Sequence, residues 1–455
     1  MPRTGLNRSP ALAIELESPQ SSYLPDDIVL GKVVRGAHVV SPRGWVNIKL
    51  LGRAKSKMTV SNGQNKSVYR GRYTIFQIHE KLFDGPIHVP PNGEPQSWPF
   101  AIAIPKGPSP PLVATGHDQK YSNLSLKEDD IAKQPLPATF YYAGEGWSTK
   151  FHGYVEYYIE AELRVSGSGS PAGTATLPIS VRPPSTPIPI TDFDLKGRSF
   201  GGLIKTQRLV PGQETAELSF KQKTQKFFGS SKVPEFVYSV EVDYPAVIQM
   251  GNPNPIPFRM RILPNRSRTT DIISDVHQTV TLTKLMMEIK ANTAVLCQGT
   301  FTSHDADKTV KHSLSLQQAL ISLGGPITIP SGPDAEAIDI GALLDLRLDA
   351  RRAYAMGKPL LAFQSQLAPS FTTYNIKHSH RLKWEAIMTV AGETMEVSAE
   401  YPVSLLAPSE EQEIEANNAL SPEEKRKKYE DALEAANLGV QGVGAILQII
   451  EAASG

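Results

Sequence analysis

The chain has 455 residues, of which 40% are hydrophobic, enough apolar side chains to build two or three hydrophobic cores. Its 37 prolines and 34 glycines follow no repeat period, which favours an all-β protein with many turns over a collagen-like or disordered chain. The single cysteine excludes an internal disulfide and a cysteine-built zinc site. The net charge of +1 gives no indication of a nucleic-acid partner.

The compartment is predicted from what the sequence does not contain. The first residues include no apolar core of signal-peptide length, and no run approaches the roughly 20 apolar residues that span a bilayer. Cys297 lies in the apolar segment Ala294-Val-Leu-Cys297 and is expected to be a small buried hydrophobic residue rather than a reactive thiol. These features predict a cytoplasmic protein without a transmembrane segment.

The first half of the chain alternates apolar and polar residues with a period of two, the pattern of half-buried strands. Proline bounds the segment Trp98-Pro-Phe-Ala-Ile-Ala-Ile-Pro105 at both ends, which predicts an edge strand. Residues 106–134 show no sustained period and are expected to form a long surface loop. The alternation predicts strands at residues 12–16, 46–52, 76–78, 100–104 and 154–165, and a turn followed by a strand within residues 23–33, with Gly52 ending the strand at 46–52.

The middle of the chain is a proline-rich joint, Pro178-Ile-Ser-Val-Arg-Pro-Pro-Ser-Thr-Pro-Ile-Pro-Ile190, with five prolines. Proline removes backbone donors and fixes φ, so the joint is expected to be extended and stiff, close to polyproline II. Similar lengths of strand-like chain lie on either side. The sequence therefore predicts two all-β domains, at residues 10–182 and 196–407, joined by a linker at 183–195 and followed by a tail at 408–455.

The second half repeats the strand pattern. After Val280 and Leu282 the apolar residues change from even to odd positions, with Leu285, Met287 and Ile289. This change predicts a β-bulge near Thr283 and Lys284. Glycine and proline pairs break residues 303–356 into pieces that are expected to be loops around one or two strands. Alternation predicts strands that contain Ala216, Leu218 and Phe220, then residues 236–244, 256–262, 374–390 and 397–405. In the strand at 374–390, Trp384 is predicted on the core face and Asn375 on the outer face.

The tail is rich in Glu, Lys and Ala. Ser421-Pro-Glu-Glu424 has the cap, the first-turn proline and the Glu of a helix start, so a helix is predicted from there. The apolar run 440–450 is too short to span a membrane. It is expected to dock on the body of the protein, with a membrane or partner contact as the alternative.

Two groups of cations lie on predicted outer strand faces. Outward guanidinium and ammonium groups can pair with carboxylate or phosphate, so each group is a candidate site for acidic or phosphorylated protein tails. The alternative for each is an ordinary solvated strand face. The first group is Lys49, Arg53, Lys55 and Lys57, and the second is Arg259, Arg261, Arg266 and Arg268.

Two other motifs favour structural roles. His378 and His380 share one strand face and could suggest a metal site, but that face is the core face and no third ligand stands out, so packed, hydrogen-bonded histidines are expected. His304 and Asp307 are expected to lie in a polar turn. No Gly-x-Ser-x-Gly, phosphate-loop or dinucleotide motif occurs, which favours a protein without catalytic residues and without a cofactor.

Four segments in order resemble the arrestin family, and most closely the α-arrestins of fungi and animals. Tyr23-Leu-Pro-Asp-Asp-Ile-Val-Leu-Gly-Lys-Val is similar to the family's Y-x-P-G-D-x-V-x-G-x-V, and Val46-Asn-Ile-Lys-Leu-Leu-Gly52 to its V-x-I-x-L-x-G. Gly153-Tyr-Val-Glu-Tyr-Tyr-Ile-Glu-Ala-Glu-Leu163 resembles the G-x-V-x-Y-x-I-x-A-x-L near the end of the first domain. Pro369-Ser-Phe-Thr-Thr-Tyr-Asn-Ile376, with Leu382 and Pro402-Val403, resembles the end of the second domain.

The resemblance implies two immunoglobulin-like sandwiches and a cytoplasmic adaptor, transiently at the plasma membrane or endosomes. Such adaptors bind the cytoplasmic tails of transporters or receptors and promote their ubiquitination, endocytosis and sorting. Fungal relatives recruit a HECT-type ubiquitin ligase through Pro-Pro-x-Tyr motifs, whereas none of Pro90-Pro91, Pro110-Pro111 and Pro183-Pro184 is followed by such a tyrosine. Ligase recruitment is therefore expected to be indirect or absent. The alternative is a non-catalytic scaffold or coat subunit of an endosomal sorting or signalling complex.

Overall fold

The structure is a computed structural model that describes residues 4–63, 65–213, 233–300 and 302–438. The predicted strand with Ala216, Leu218 and Phe220 and the apolar run 440–450 lie outside these ranges. The described part is all-β with a helical C-terminal region, as the alternation predicted. Its strands are β1 Ala13–Leu16, β2 Ile28–Arg35, β3 Val39–Asn62, β4 Asn65–Val89, β5 Gln96–Ala103, β6 Phe140–Glu145, β7 Thr149–Val165, β8 Gly173–Ile179, β9 Leu195–Lys205, β10 Glu235–Pro245, β11 Val247–Gln249, β12 Arg259–Pro264, β13 Val280–Gln298, β14 Ser303–Ser313, β15 Ile327–Ile329, β16 Ile338–Asp339, β17 Arg347–Leu348, β18 Arg352–Ala355, β19 Lys358–Ala362, β20 Phe371–Thr372, β21 Ile376–Val390 and β22 Glu393–Leu406.

The helices lie in the connections and the tail, and all but the last, which has 17 residues, are short. Ser421 caps the last of them as predicted, because its backbone N–H donates to Glu424 and its hydroxyl accepts from the Glu424 backbone. Among the described residues, no helix combines the length and the apolarity needed to cross a bilayer. The α-helices are α1 Pro110–Ala114, α2 Glu128–Ile131, α3 Gln317–Ser322, α4 Ile340–Leu343, α5 Glu410–Asn418 and α6 Pro422–Leu438, and single 3-10 turns occur at Gln119–Tyr121, Gln207–Leu209 and Asp271–Ile273.

The N-terminal half is a sandwich. A three-stranded sheet, β1-β2-β5, faces β4, β3 and β7 across a hydrophobic core. Period-two alternation builds that core, because Val46, Ile48 and Leu50 point inward and are fully buried while their neighbours point outward. β5 lies at the edge of its sheet among the described strands, as its flanking prolines predicted.

The C-terminal half is a second sandwich. Strands β16-β12-β10-β9 form one sheet, and β11, β22, β21 and β13 form the other. Trp384 of β21 lies in the centre of the core, with its ring edge-to-face against Phe258 at a centroid distance of 5.4 Å. A register shift between Leu282 and Lys284 confirms the predicted bulge.

The two sandwiches meet at a junction built on residues with little or no side chain. Gly71 of β4, Ser56 of β3 and Gly153 of β7 face the end of β13, and the Ser56 hydroxyl donates to the Leu296 carbonyl at 2.6 Å. Asn375, fully buried, donates to the same hydroxyl at 3.0 Å. A backbone pair between Gln298 and Arg70 joins the halves, so that one twelve-stranded sheet runs through the described part of both.

The proline-rich joint and the tail are bonded to the body. Arg182 donates its backbone N–H to Tyr23 at 2.9 Å in the first half, and Ile190 donates to Gln249 at 2.9 Å in the second. Helix α5 begins at the joint, where the Ser185 hydroxyl donates to the Pro408 carbonyl. Leu433 of α6 packs against the N-terminal core.

Four predictions about the fold are wrong. Gly52 does not end its strand: it lies inside the 24-residue β3, where a Cβ would lie 2.7 Å from the rings of Phe76 and Tyr157. Residues 106–134 are not only a surface loop, since they contain α1 and α2 and bury Val113 and Ile131. Residues 303–356 contain five strands, β14 to β18, among the described residues, rather than one or two. Asn375, assigned to the outer face of its strand, is fully buried at the junction.

The junction predicts that Gly153→Val destabilises the protein. A Cβ at Gly153 would lie 2.8 Å from Cγ1 of Val295 and 3.2 Å from Cδ1 of Ile376, so the larger side chain forces the halves apart. We expect the free energy of unfolding in urea to fall by about 2 kcal/mol.

Gly169→Val is the matched control, because no atom lies within 4 Å of a Cβ at Gly169, and its unfolding free energy is expected to stay within about 0.5 kcal/mol of wild type. Equal stability of the two variants would show that the junction is not tightly packed.

Candidate functional site

Strand register brings basic side chains from three strands onto one face. Lys55 pairs with Arg72 and Lys57 with Arg70 between β3 and β4, and Lys57 pairs with His152 between β3 and β7. Directly paired residues of neighbouring strands point to the same side of a sheet. The five residues Lys55, Lys57, Arg70, Arg72 and His152 are called the cationic cluster below.

The cationic cluster surrounds a small cavity. Its volume is about 40 Å³, and Tyr154 and the backbone at Gly71 complete the lining. This volume holds about two or three water molecules, the scale of one phosphate or carboxylate group. Arg70 and Arg72 are exposed and Lys57 is half-buried, so the cavity can be reached from solvent.

Three cations of the cluster have no acidic partner in the described part of the chain. Each ion pair formed near the cavity involves Arg53, Lys55 or Lys150, and none involves Lys57, Arg70 or Arg72. Neighbouring cations without counter-ions raise the local positive potential, which attracts anions. The cluster is therefore a surface that a carboxylate or phosphate would neutralise.

A buried ion triad of Arg53, Glu156 and Lys55 lies next to the cluster. Glu156 and Lys55 are 4% and 5% exposed, and the Glu156 carboxylate accepts a hydrogen bond from Arg53 Nε and lies 3.7 Å from Lys55 Nζ. The same carboxylate accepts the Thr4 backbone N–H at 2.8 Å. The triad thus ties the N-terminal segment to β3 and β7.

Burial and neighbouring charges shift two pKa values at the cavity. Burial, with the Arg53 guanidinium adding to it, lowers the pKa of Lys55 to about 8, against the opposing effect of Glu156. Burial, with Lys57 nearby, lowers the pKa of His152 to about 4, so this ring is neutral at neutral pH. A bound anion would favour the charged form of Lys55 and raise its pKa.

The structure separates the members of the first predicted group. Lys49 pairs with Glu160 at 3.2 Å, and Arg53 belongs to the buried ion triad. Lys55 lines the cavity but also belongs to the triad, and Lys57 lines the cavity without a carboxylate partner among the described residues. Lys55 and Lys57 therefore reach the cavity, whereas Lys49, Arg53 and Lys55 are held by acidic residues of β7.

The second predicted group is also divided. Arg259 Nε lies 3.1 Å from the Asp339 carboxylate, and Arg261 Nη2 lies 2.6 Å from that of Glu241. Arg266 and Arg268 are exposed in the turn that follows β12. None of these four arginines lines the cavity of the cationic cluster.

Sequence reasoning missed Arg70, Arg72, His152 and the acidic Glu156. The segment Tyr69-Arg-Gly-Arg72 places two arginines at period two, a signal that could have been found. It was missed because β4 was predicted only at residues 76–78, whereas it begins at Asn65. No local signal indicates that β7 lies beside β3.

The paired histidines are buried, and each makes a hydrogen bond through its Nδ1 atom. His378 Nδ1 lies 2.8 Å from Thr293 Oγ1, and His380 Nδ1 lies 2.9 Å from Ser370 Oγ. Burial lowers their pKa values to about 4 and about 3. No group of three or more potential metal ligands occurs within the residues that the structure describes. The predicted hydrogen-bonded packing is confirmed.

Two smaller predictions about sites have different outcomes. Cys297 is buried, as predicted, and burial raises the pKa of its thiol. His304 and Asp307 do not form a polar turn, because both lie within β14. His304 stacks on Tyr69 at a centroid distance of 3.6 Å, and the Asp307 carboxylate accepts a hydrogen bond from Asn292.

The buried ion triad predicts that Glu156→Gln is strongly destabilising. The variant leaves the Lys55 ammonium and the Arg53 guanidinium without their carboxylate in a buried site, so the free energy of unfolding should fall by about 3 kcal/mol. Glu160→Gln, which breaks the more exposed pair with Lys49, should cost less than about 1 kcal/mol. Similar losses in urea unfolding of both variants would contradict the special role of Glu156.

The buried His378 and His380 predict that the folded protein is less stable at acidic pH. In the folded state the pKa values of His378 and His380 lie below the ordinary value of 6.5, so the unfolded chain binds more protons as the pH falls. Their contribution to stability is complete above about pH 6.5 and is lost towards about pH 4. Between about pH 7.5 and about pH 5, each should lower the free energy of unfolding by about 1–2 kcal/mol.

Urea unfolding at the two pH values measures this effect. His378→Gln should reduce the difference between them, whereas His88→Gln, at an exposed position, should leave the difference unchanged. A wild-type protein that is equally stable at both pH values would refute the prediction.

The chain matches no known family model and no curated protein. The arrestin resemblance therefore stays a prediction from the four sequence segments.

Proposed function

We propose that this chain is a non-catalytic adaptor of the arrestin type, whose cationic cluster binds acidic or phosphorylated cytoplasmic tails of membrane transporters or receptors. The observation that carries the proposal is the cavity among Lys55, Lys57, Arg70 and Arg72, with three of these cations unpaired in the described chain. Arginine offers bidentate hydrogen bonds to carboxylate and phosphate. The neutral His152 ring can add a hydrogen bond without adding charge.

Binding through this surface fits an extended tail. The cations are spread over adjacent strands about 4.8 Å apart, so consecutive acidic residues of a peptide can meet different basic residues. The buried ion triad holds β3 and β7 rigidly beneath them, so little ordering is needed on binding. In the adaptor proposal, this captured tail is the cargo that is sorted or internalised.

A ubiquitin ligase, in this proposal, acts on the captured cargo through a further protein. The sequence contains no Pro-Pro-x-Tyr motif, which is the segment that would reach the ligase directly. The scaffold alternative predicts instead a complex of fixed stoichiometry. Proximity labelling in cells separates the two, because transporters and a ligase would mark an adaptor, whereas one constant set of partners would mark a coat subunit.

The adaptor proposal predicts a site-specific loss of peptide binding. The double variant Lys57→Glu with Arg70→Glu replaces two unpaired cations, so the dissociation constant of a doubly phosphorylated tail peptide should rise by at least about tenfold. Fluorescence anisotropy of a labelled peptide measures this change, and the wild-type affinity should fall as salt is added.

Arg266→Glu with Arg268→Glu is the matched control, because it makes the same change of charge on the exposed turn after β12. Its affinity for the peptide should remain within about twofold of wild type. Loss of binding in this control alone would move the site to the second arginine group, and equal affinity of all three proteins would remove the proposed surface.

A further inference from the structure

Trp147 is the most exposed large apolar side chain in the described chain. Its relative exposure is 106%, whereas Trp98 and Trp384 are 5% and 1% exposed. Tryptophan has a large apolar ring and a single N–H donor, so it is usually at least partly covered. The full exposure of Trp147 to water indicates a surface that a membrane or another molecule covers.

The turn that carries Trp147 is braced on both sides. Gly146 donates its backbone N–H to the Thr149 carbonyl at 2.7 Å and closes the turn between β6 and β7. Ser61, near the end of β3, donates to the Ser148 carbonyl at 2.8 Å. Lys308 Nζ of β14 donates to the Glu145 carbonyl at 3.3 Å. The Trp147 ring therefore lies at the end of a projecting turn that hydrogen bonds from β3 and β14 hold in place.

Cations lie behind this projection. Lys66 pairs in register with Ser61, close to the turn, and Arg70 and Lys57 follow along the same strands. None of these three has a carboxylate partner among the described residues, and the nearby Glu145 is already paired with Lys150. The Trp147 ring thus lies at the end of the turn, and the unpaired cations lie behind it, closer to the body of the protein.

We propose that the Trp147 turn is a membrane anchor, which places the indole at the headgroup level of an anionic bilayer with Lys66 and Arg70 against the lipid phosphates. Tryptophan favours the interface because its ring is apolar and its N–H can remain hydrated. Lysine and arginine near an anionic leaflet add electrostatic attraction.

The convex shape of the tip distinguishes a bilayer from a protein partner. Residues that dominate protein–protein binding lie in well-packed pockets that exclude water, whereas Trp147 stands on a turn with glycines at positions 144 and 146. A fluid bilayer can close around a projecting ring, and a folded partner would need a matching cavity. This anchor does not depend on tail binding, although both would use the same charged face.

Vesicle co-sedimentation of the full chain tests the anchor. Wild type should bind phosphatidylcholine vesicles that contain about one third phosphatidylserine, and binding should weaken strongly with pure phosphatidylcholine. Trp147→Ala should weaken binding to the anionic vesicles by at least about tenfold. Leu361→Ala, which removes another exposed apolar side chain at 74% exposure, should bind like wild type.

Tryptophan fluorescence provides a second readout. Emission from wild type should shift to shorter wavelength when anionic vesicles are added, and Trp147→Phe should lose that shift while it still sediments with them. Absence of vesicle binding by wild type would overturn the proposal. Equal vesicle binding by wild type and Trp147→Ala would also overturn the proposal. This holds even if the double variant Lys66→Glu with Arg70→Glu no longer bound vesicles, because the attraction would then be purely electrostatic.

The tail-peptide measurement keeps this proposal separate from the proposed function. Trp147→Ala should bind the doubly phosphorylated peptide with the affinity of wild type, because the indole does not line the cavity. A parallel loss of peptide binding and vesicle binding in this variant would assign Trp147 to the protein partner and would overturn the anchor.

Discussion

The close approach of β13 to the strands of the first half is the constraint on which the molecule depends. A Cβ on Gly71 would lie 2.8 Å from the Leu296 carbonyl oxygen, and one on Gly153 would lie 2.8 Å from Val295. Only residues with minimal side chains permit this distance. Because β13 comes so near, its last residues continue the sheet of the N-terminal sandwich, and the two halves are joined by a shared sheet as well as by the proline-rich joint.

The same constraint sets the position of the cationic cluster. Successive side chains of a strand point to opposite faces, so the small residues that face the junction leave their neighbours on the other side. Lys55 and Lys57 flank Ser56 on β3, Arg70 and Arg72 flank Gly71 on β4, and His152 and Tyr154 flank Gly153 on β7. The junction and the cationic cluster therefore lie on opposite faces of the same three strands, β3, β4 and β7. The buried ion triad beside them, with Glu156 between two cations, fixes those strands against the N-terminal segment.

Much of the fold could be predicted where alternation is long and unbroken. Trp384 was placed in the core because the apolar residues of β21 keep one parity over the whole strand, and the bulge near Thr283 followed from a change of that parity. Prediction failed where another part of the chain supplies the stabilisation. β14 is largely polar on both faces, and its strand geometry comes from pairing with β13 along eleven residues. Gly52 indicated a strand end, although two aromatic rings fill the space that its missing side chain leaves.

The sequence by itself determined which side chains of the long alternating strands face the core, as for Val46, Ile48 and Leu50 of β3, because a period of two is a local property of the strand, and it identified Lys57 as an outward cation. Only the tertiary structure decided which cations remain unpaired. Glu156 and Glu160 lie about a hundred residues from Arg53 and Lys49 in the chain, and strand register alone places each carboxylate opposite its partner. The register of β3 with β4 adds Arg70 and Arg72 to the cavity. The local sequence pattern therefore determines which way each side chain points, whereas pairing with neighbouring strands determines which cations have a carboxylate partner.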